Sequence, residues 1–85
     1  MAADGWWVYV VRCADATLYT GVTRDLERRI SEHNGGRGAR YTRPRRPVQL
    51  IYSEPAENRS EAQRREHVIR QWPAARKREL EVLPP

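Results

Sequence analysis

Eighty-five residues with a net charge of +5 and a mean hydropathy of −0.89 make one polar, basic domain with room for a single small core. No stretch approaches the roughly 20 apolar residues of a membrane helix, and no charged-then-apolar leader precedes Trp6, so a cytoplasmic location is expected, with no membrane partner. The lone cysteine, Cys13, excludes an intrachain disulfide and any multi-cysteine zinc site.

Phenylalanine is absent, so the core is expected to rest on Trp6, Trp7, Trp72, some tyrosines and scattered Val, Leu and Ile. Every basic residue except Lys77 is an arginine, and arginine offers phosphate a planar, bidentate donor fork. With a pI near 10.1, a polyanionic partner follows, nucleic acid ahead of an anionic membrane.

Residues 1–5 read as a loose tail, residues 6–81 as the domain and residues 82–85 as a second tail. Trp6–Arg12 (WWVYVVR) is aromatic and β-branched and predicts a strand. "ADAT" turns the chain into a returning strand, Leu18–Val22, without the Asn-Gly signal of a strong hairpin. Thr23 can cap the next helix, with Asp25 in its first turn. Leu26, Arg29, Ile30 and His33 share one side of that helix, and "NGG" at Asn34–Gly36 stops it. Arg37–Pro47 (RGARYTRPRRP) predicts an exposed loop, and Val48–Ser53 a third strand.

"NRSEAQ" offers two overlapping capping boxes, Asn58 with Glu61 and Ser60 with Gln63, at the start of a second helix. The apolar stripe of that helix runs Ala62, Ile69, Trp72. Pro73 ends it and can begin a last short helix through Leu80. The order β-β-α-β-α-α predicts an α+β fold, a small antiparallel three-stranded sheet flanked by helices.

Some residues resist a purely structural account. Glu66 falls on the second helix's apolar stripe, where a carboxylate needs an ion-pair partner or a metal. Arg29 and His33 either snorkel at the core edge or aim into a cleft. Tyr9 and Tyr19 alternate with Val8, Val10, Leu18 and Thr20, so both can lie on the opposite sheet face, packed or reactive. Arg37, Arg40, Arg43, Arg45 and Arg46 interleave with Tyr41, a basic surface with an aromatic available for stacking. The plain alternative for that stretch is a solvated loop.

Taken in order, these residues resemble a GIY-YIG endonuclease domain, and most closely its small stand-alone bacterial members. "VYV" at Val8–Val10 stands at the first motif and "YTG" at Tyr19–Gly21 at the second. "TRDLERRISEHN", "YT…RPVQLIY.E" and "RREHVIRQW" continue the match to about Leu80. The chain is also similar to the catalytic module of a eukaryotic endonuclease acting on branched DNA. Val22 replaces a lysine of the family's excision-repair nucleases, and no asparagine follows Asn58 where some branches have one.

The resemblance implies a divalent-metal-dependent DNA endonuclease in repair, recombination or processing of branched or single-stranded DNA. In that reading Glu66 holds one Mg²⁺ or Mn²⁺, and Arg29, rather than the adjacent Arg28, pairs with the phosphate. Tyr9 orients or deprotonates the attacking water with His33 beside it, and Tyr19 positions water or phosphate. Nearby Arg29 and metal-linked water are expected to favour the Tyr9 phenolate. Selectivity is expected from the Arg37–Arg46 loop, from DNA shape, or from a homodimer or protein partner. RNA is the alternative substrate, and a catalytically weak nucleic-acid-binding module the alternative function.

Overall fold

The computed structural model describes residues 5–80. The expected tails therefore lie outside the described residues, Gly5 apart. The order is β1 (Trp6–Arg12), β2 (Leu18–Thr23), α1 (Leu26–Asn34), a short 3₁₀ turn (Arg43–Arg45), β3 (Gln49–Ala56), α2 (Arg59–Arg70) and α3 (Ala74–Glu79). The sheet is antiparallel throughout, in the order β2-β1-β3. The α+β fold is the one the sequence predicts.

Alternation along β1 builds a core on each face of the sheet. Val8 and Val10 pack with Ala62 and Ile69 of α2 and with Leu80, while Tyr9, Val11, Cys13 and Val48 pack toward Leu26 and Ile30 of α1. The expected tryptophan core is corrected: valines fill the centre, Trp6 and Trp72 are only half-buried at its margin, and Trp7 joins neither cluster. Arginines lie over the marginal rings, Arg24 and Arg59 over Trp6, Arg65 and Arg76 over Trp72. An indole needs its N–H wet and offers a cation its face, so the rim suits it better than the centre.

The local signals resolve with some shifts. Asp25, not Thr23, is the N-cap of α1: its carboxylate accepts from Arg28 N at 3.1 Å, and Thr23 Oγ1 accepts from Asp25 N at 3.1 Å. Asn58 caps α2 by accepting from Glu61 N at 2.9 Å. Pro73 is the N-cap of α3, one position before the helix. β3 extends to Ala56 because its pairing with β1 runs on to Trp6, and its Pro55 is tolerated on an edge strand. In the β1–β2 turn, Ala16 takes φ 71°, the left-handed region in which Asn or Gly is the ordinary occupant.

Candidate active site

The site begins with a glycine. Tyr9 of β1 sits opposite Gly21 of β2, and a Cβ on Gly21 would fall 2.5 Å from Tyr9 Oη and 2.7 Å from Cζ. The missing side chain lets the buried Tyr9 ring lie across the outer strand, so that its hydroxyl reaches α1. There Tyr9 Oη lies 2.8 Å from His33 Nε2, and Arg29 Nε–H donates to the same oxygen at 3.4 Å. One turn of helix separates Arg29 from His33, which is why both meet one hydroxyl.

Proton positions follow from the loop behind the histidine. Thr42 Oγ1 donates to Ala39 O at 2.9 Å, which spends its only proton. It must then accept from His33 Nδ1–H, 2.8 Å away. The protonated Nδ1 leaves Nε2 with a lone pair facing Tyr9, so Tyr9 O–H donates to His33. Burial and the Arg29 charge hold the His33 pKa below its ordinary value and favour this neutral form. Gly38 lets the loop close on His33, for a Cβ there would collide with the imidazole and its backbone.

Burial outweighs the arginine at Tyr9. The phenol is pushed up to about 12, with desolvation exceeding the opposing hydrogen bond and charge of Arg29. With no metal bound, Arg29 alone does not yield the expected phenolate, and Tyr9 is a neutral hydroxyl that donates to His33 Nε2. The charge of Glu66 also opposes ionisation of Tyr9. Glu66 projects from α2, which packs across β1 and β2 on the other face, yet its carboxylate is within electrostatic reach of Tyr9.

The remaining candidates divide. Tyr19 joins the site through its ring, edge-on to His33 at 5.5 Å and stacked on Tyr41 at 6.0 Å. Arg29 is 29% exposed and also bonds Glu32 at 3.0 Å, whereas Arg28 points outward at 77% exposure. Arg29 opens into a groove of about 370 Å³ with Trp6, Val22, Arg24 and Arg28. Glu66, 19% exposed, pairs with Arg70 at 3.3 Å, a structural role the sequence left open.

The arginine loop is not one solvated surface. Arg45 is 3.0 Å from Asp15 (an ion pair without hydrogen-bond alignment), donates to Tyr41 O at 2.8 Å and stacks on the Tyr41 ring at 4.0 Å. Arg46 Nε donates to Arg43 O at 2.9 Å. These two arginines hold the loop, and Arg37, Arg40 and Arg43 are the exposed remainder. Thr42, within the stretch expected to be exposed, is fully buried. Sequence reasoning had no reason to single it out, since its role depends on a histidine nine positions away.

One carboxylate cannot cage a resident ion, and among the described residues no three His, Cys, Asp or Glu side chains gather as a ligand group. A single carboxylate does fit Mg²⁺ where waters and a substrate phosphate supply the other oxygens. Glu66 is suited to that use once Arg70 turns aside.

The molecule is thus a small α+β domain whose antiparallel sheet presents a tyrosine–histidine–threonine chain, with an arginine at the mouth of a groove. The model of the GIY-YIG catalytic domain matches residues 5–79, and the chain belongs to the GIY-YIG family. A UPF0213 protein of Desulfotalea psychrophila is 58% identical over 76 residues, 88% of this chain and 69% of that protein. One of Staphylococcus saprophyticus is 47% identical over 77 residues, 91% of this chain and 94% of its own. The solution NMR structure of a UPF0213 protein from Bacillus halodurans is similar at a TM-score of 0.55 and 37% identity, covering 89% of this chain and 81% of that one. That of a protein from E. faecalis matches at a TM-score of 0.59 and 39% identity, over 88% and 80% respectively. The family's catalytic domain is a nuclease module, whose substrate is nucleic acid. Among the described residues no helix is long and apolar enough to cross a membrane.

Proposed function

We propose that the domain is a DNA endonuclease that hydrolyses phosphodiester bonds with one Mg²⁺ or Mn²⁺, in repair, recombination or the processing of branched or single-stranded DNA. The hydrogen-bonded chain Tyr9–His33–Thr42 carries this reading, because it presents a proton acceptor already oriented toward a polar site. The attacking water gives its proton to Tyr9 Oη as Tyr9 gives its own to His33 Nε2. Two short transfers replace an improbable phenolate. The new hydroxide bonds to phosphorus while the bond to the 3′ oxygen breaks, and that oxygen takes a proton from solvent. The products are a 5′-phosphate and a 3′-hydroxyl.

Arg29 meets the non-bridging oxygens, where negative charge accumulates in the transition state. Its fixed hydrogen bonds to Tyr9 and Glu32 orient the guanidinium beforehand. Tyr19 walls the site and keeps the His33 ring edge-on. A divalent ion held by Glu66, when bound, supplies positive charge for the phosphate and the leaving oxygen. Arg37, Arg40 and Arg43 add sequence-independent attraction for the backbone.

The test is cleavage of labelled linear, nicked, single-stranded and branched DNA with Mg²⁺ or Mn²⁺, with Arg29→Ala and Glu66→Ala as controls. Cleavage by the wild type that each substitution abolishes is the expected result; activity surviving both refutes the site. The Glu66–Arg70 ion pair favours a second reading, a binding module whose carboxylate is permanently neutralised. That reading requires a wild type that binds DNA, cuts none under either metal, and binds equally well as Glu66→Ala.

A further inference from the structure

A second groove wraps the free edge of β2. It holds about 230 Å³ and is lined by Leu18, Tyr19, Thr20, Tyr41, Arg70 and Lys77. Neither Thr20 nor Lys77 takes part in the chemistry above, and Arg70 enters it only as the ion-pair partner that must release Glu66. Tyr41 is the exposed aromatic ring among the described residues, at 39%, and its offset stacking on Tyr19 leaves part of it bare beside the groove. Arg45 on Tyr41 and Tyr19 beside it hold that ring in place.

Thr20 is 4% exposed, and its Oγ1 is buried with no hydrogen-bond partner. An unpaired buried hydroxyl is costly, and valine would occupy the same space at no such cost. Thr20 lines the groove although its hydroxyl is turned inward, and rotation about χ1 would bring that hydroxyl to a ligand seated there. Across the groove stand Arg70 and Lys77, two cations near enough that burial and the Arg70 charge depress the Lys77 pKa. An anion between them relieves that repulsion.

We propose that this groove is a subsite for one unpaired nucleotide next to the scissile phosphate, its base against Tyr41, its phosphate between Arg70 and Lys77, its sugar–phosphate oxygen on Thr20 Oγ1. The inference rests on the nuclease reading and narrows its substrate class. Tyr19 belongs to both the site and the groove, which puts the nucleotide one step from the reacting bond. A base stacked within a duplex cannot turn to Tyr41, so the DNA must be single-stranded or frayed at that position. Arg70 also touches Glu66, so a phosphate drawing Arg70 into the groove frees that carboxylate.

The test is fluorescence anisotropy of the full chain in EDTA with a labelled single-stranded DNA carrying one abasic site, moved along the strand position by position. One position is expected to weaken wild-type binding about tenfold, and the same position to matter little for Tyr41→Leu. Thr20→Val is expected to melt at a higher temperature than the wild type while binding several-fold more weakly, and Lys77→Gln to bind more weakly. A flat abasic scan, duplex bound as tightly as single strand, or Thr20→Val binding unchanged would overturn the proposal. Single-stranded RNA bound in place of DNA would overturn its DNA assignment. Cleavage by the wild type with a flat scan sinks the subsite alone. A stepped scan without cleavage under either metal sinks the nuclease reading and leaves the subsite standing.

Discussion

Replacing Thr42 by valine keeps the shape of a fully buried side chain and removes one oxygen. That oxygen accepts from His33 Nδ1 at 2.8 Å and donates to Ala39 O at 2.9 Å. The carbonyl loses little, since the backbone N–H groups of Thr42 and Arg43 already reach it at 3.1 and 3.2 Å. The imidazole loses its only partner on that side. An orphaned buried donor costs about 1–3 kcal/mol, or roughly 10 °C in Tm for a domain of this size. The alternative is for the proton to move to Nε2, which spares stability and reverses the hydrogen bond to Tyr9. In either case the lone pair facing Tyr9 is lost or loosened, and the rate should fall about 100-fold or more, the usual share of a general base. Single-turnover cleavage measures the rate, thermal unfolding by circular dichroism the stability, and ¹⁵N chemical shifts of the imidazole the tautomer. Thr42→Ser keeps the oxygen and should recover most of both. Folded Thr42→Val cutting within twofold of the wild type, or a wild-type spectrum showing Nε2–H, would refute the proton chain.

Gly21→Ala forces a methyl against the Tyr9 ring; overpacking should cost about 1–3 kcal/mol in chemical denaturation and lower the rate by displacing Tyr9 from His33. Ala16→Gly relieves the left-handed turn and should raise stability by about 0.5–1 kcal/mol, read as a higher Tm with unchanged cleavage. The folded His33 pKa lies below 6.5, so the unfolded chain binds more protons as pH falls; stability should be full above about pH 6.5 and decline as pH drops through the folded value. Cleavage should show an acid limb with a midpoint below 6.5 and no loss of rate from Tyr9 ionisation until near its pKa of about 12.

Much of this protein can be read from local chemistry. Alternation in WWVYVVR places Tyr9 opposite to Val8 and Val10, helical spacing places Arg29 and His33 on one side, and the capping residue Asn58 marks the start of α2. Such features depend on residues within a few positions of one another, where backbone geometry leaves few choices. Periodicity also marked Glu66 as misplaced on an apolar stripe. Contacts between distant segments lay beyond that reach. Thr42 reads as one polar residue in an arginine-rich loop until tertiary folding brings it onto His33 and sets the tautomer. The Tyr9 hydroxyl stays neutral because burial around the ring exceeds the pull of Arg29, and burial is a property of the packed molecule alone. The orphaned Thr20 hydroxyl and the two cations across the groove likewise meet only where the edge of β2 comes against α2 and α3. The residue types and their local geometry are therefore legible in the chain itself. Which of them meet, which way the protons run and which cations remain to face a phosphate are decided by close packing, because each depends on distances and desolvation between segments far apart in sequence.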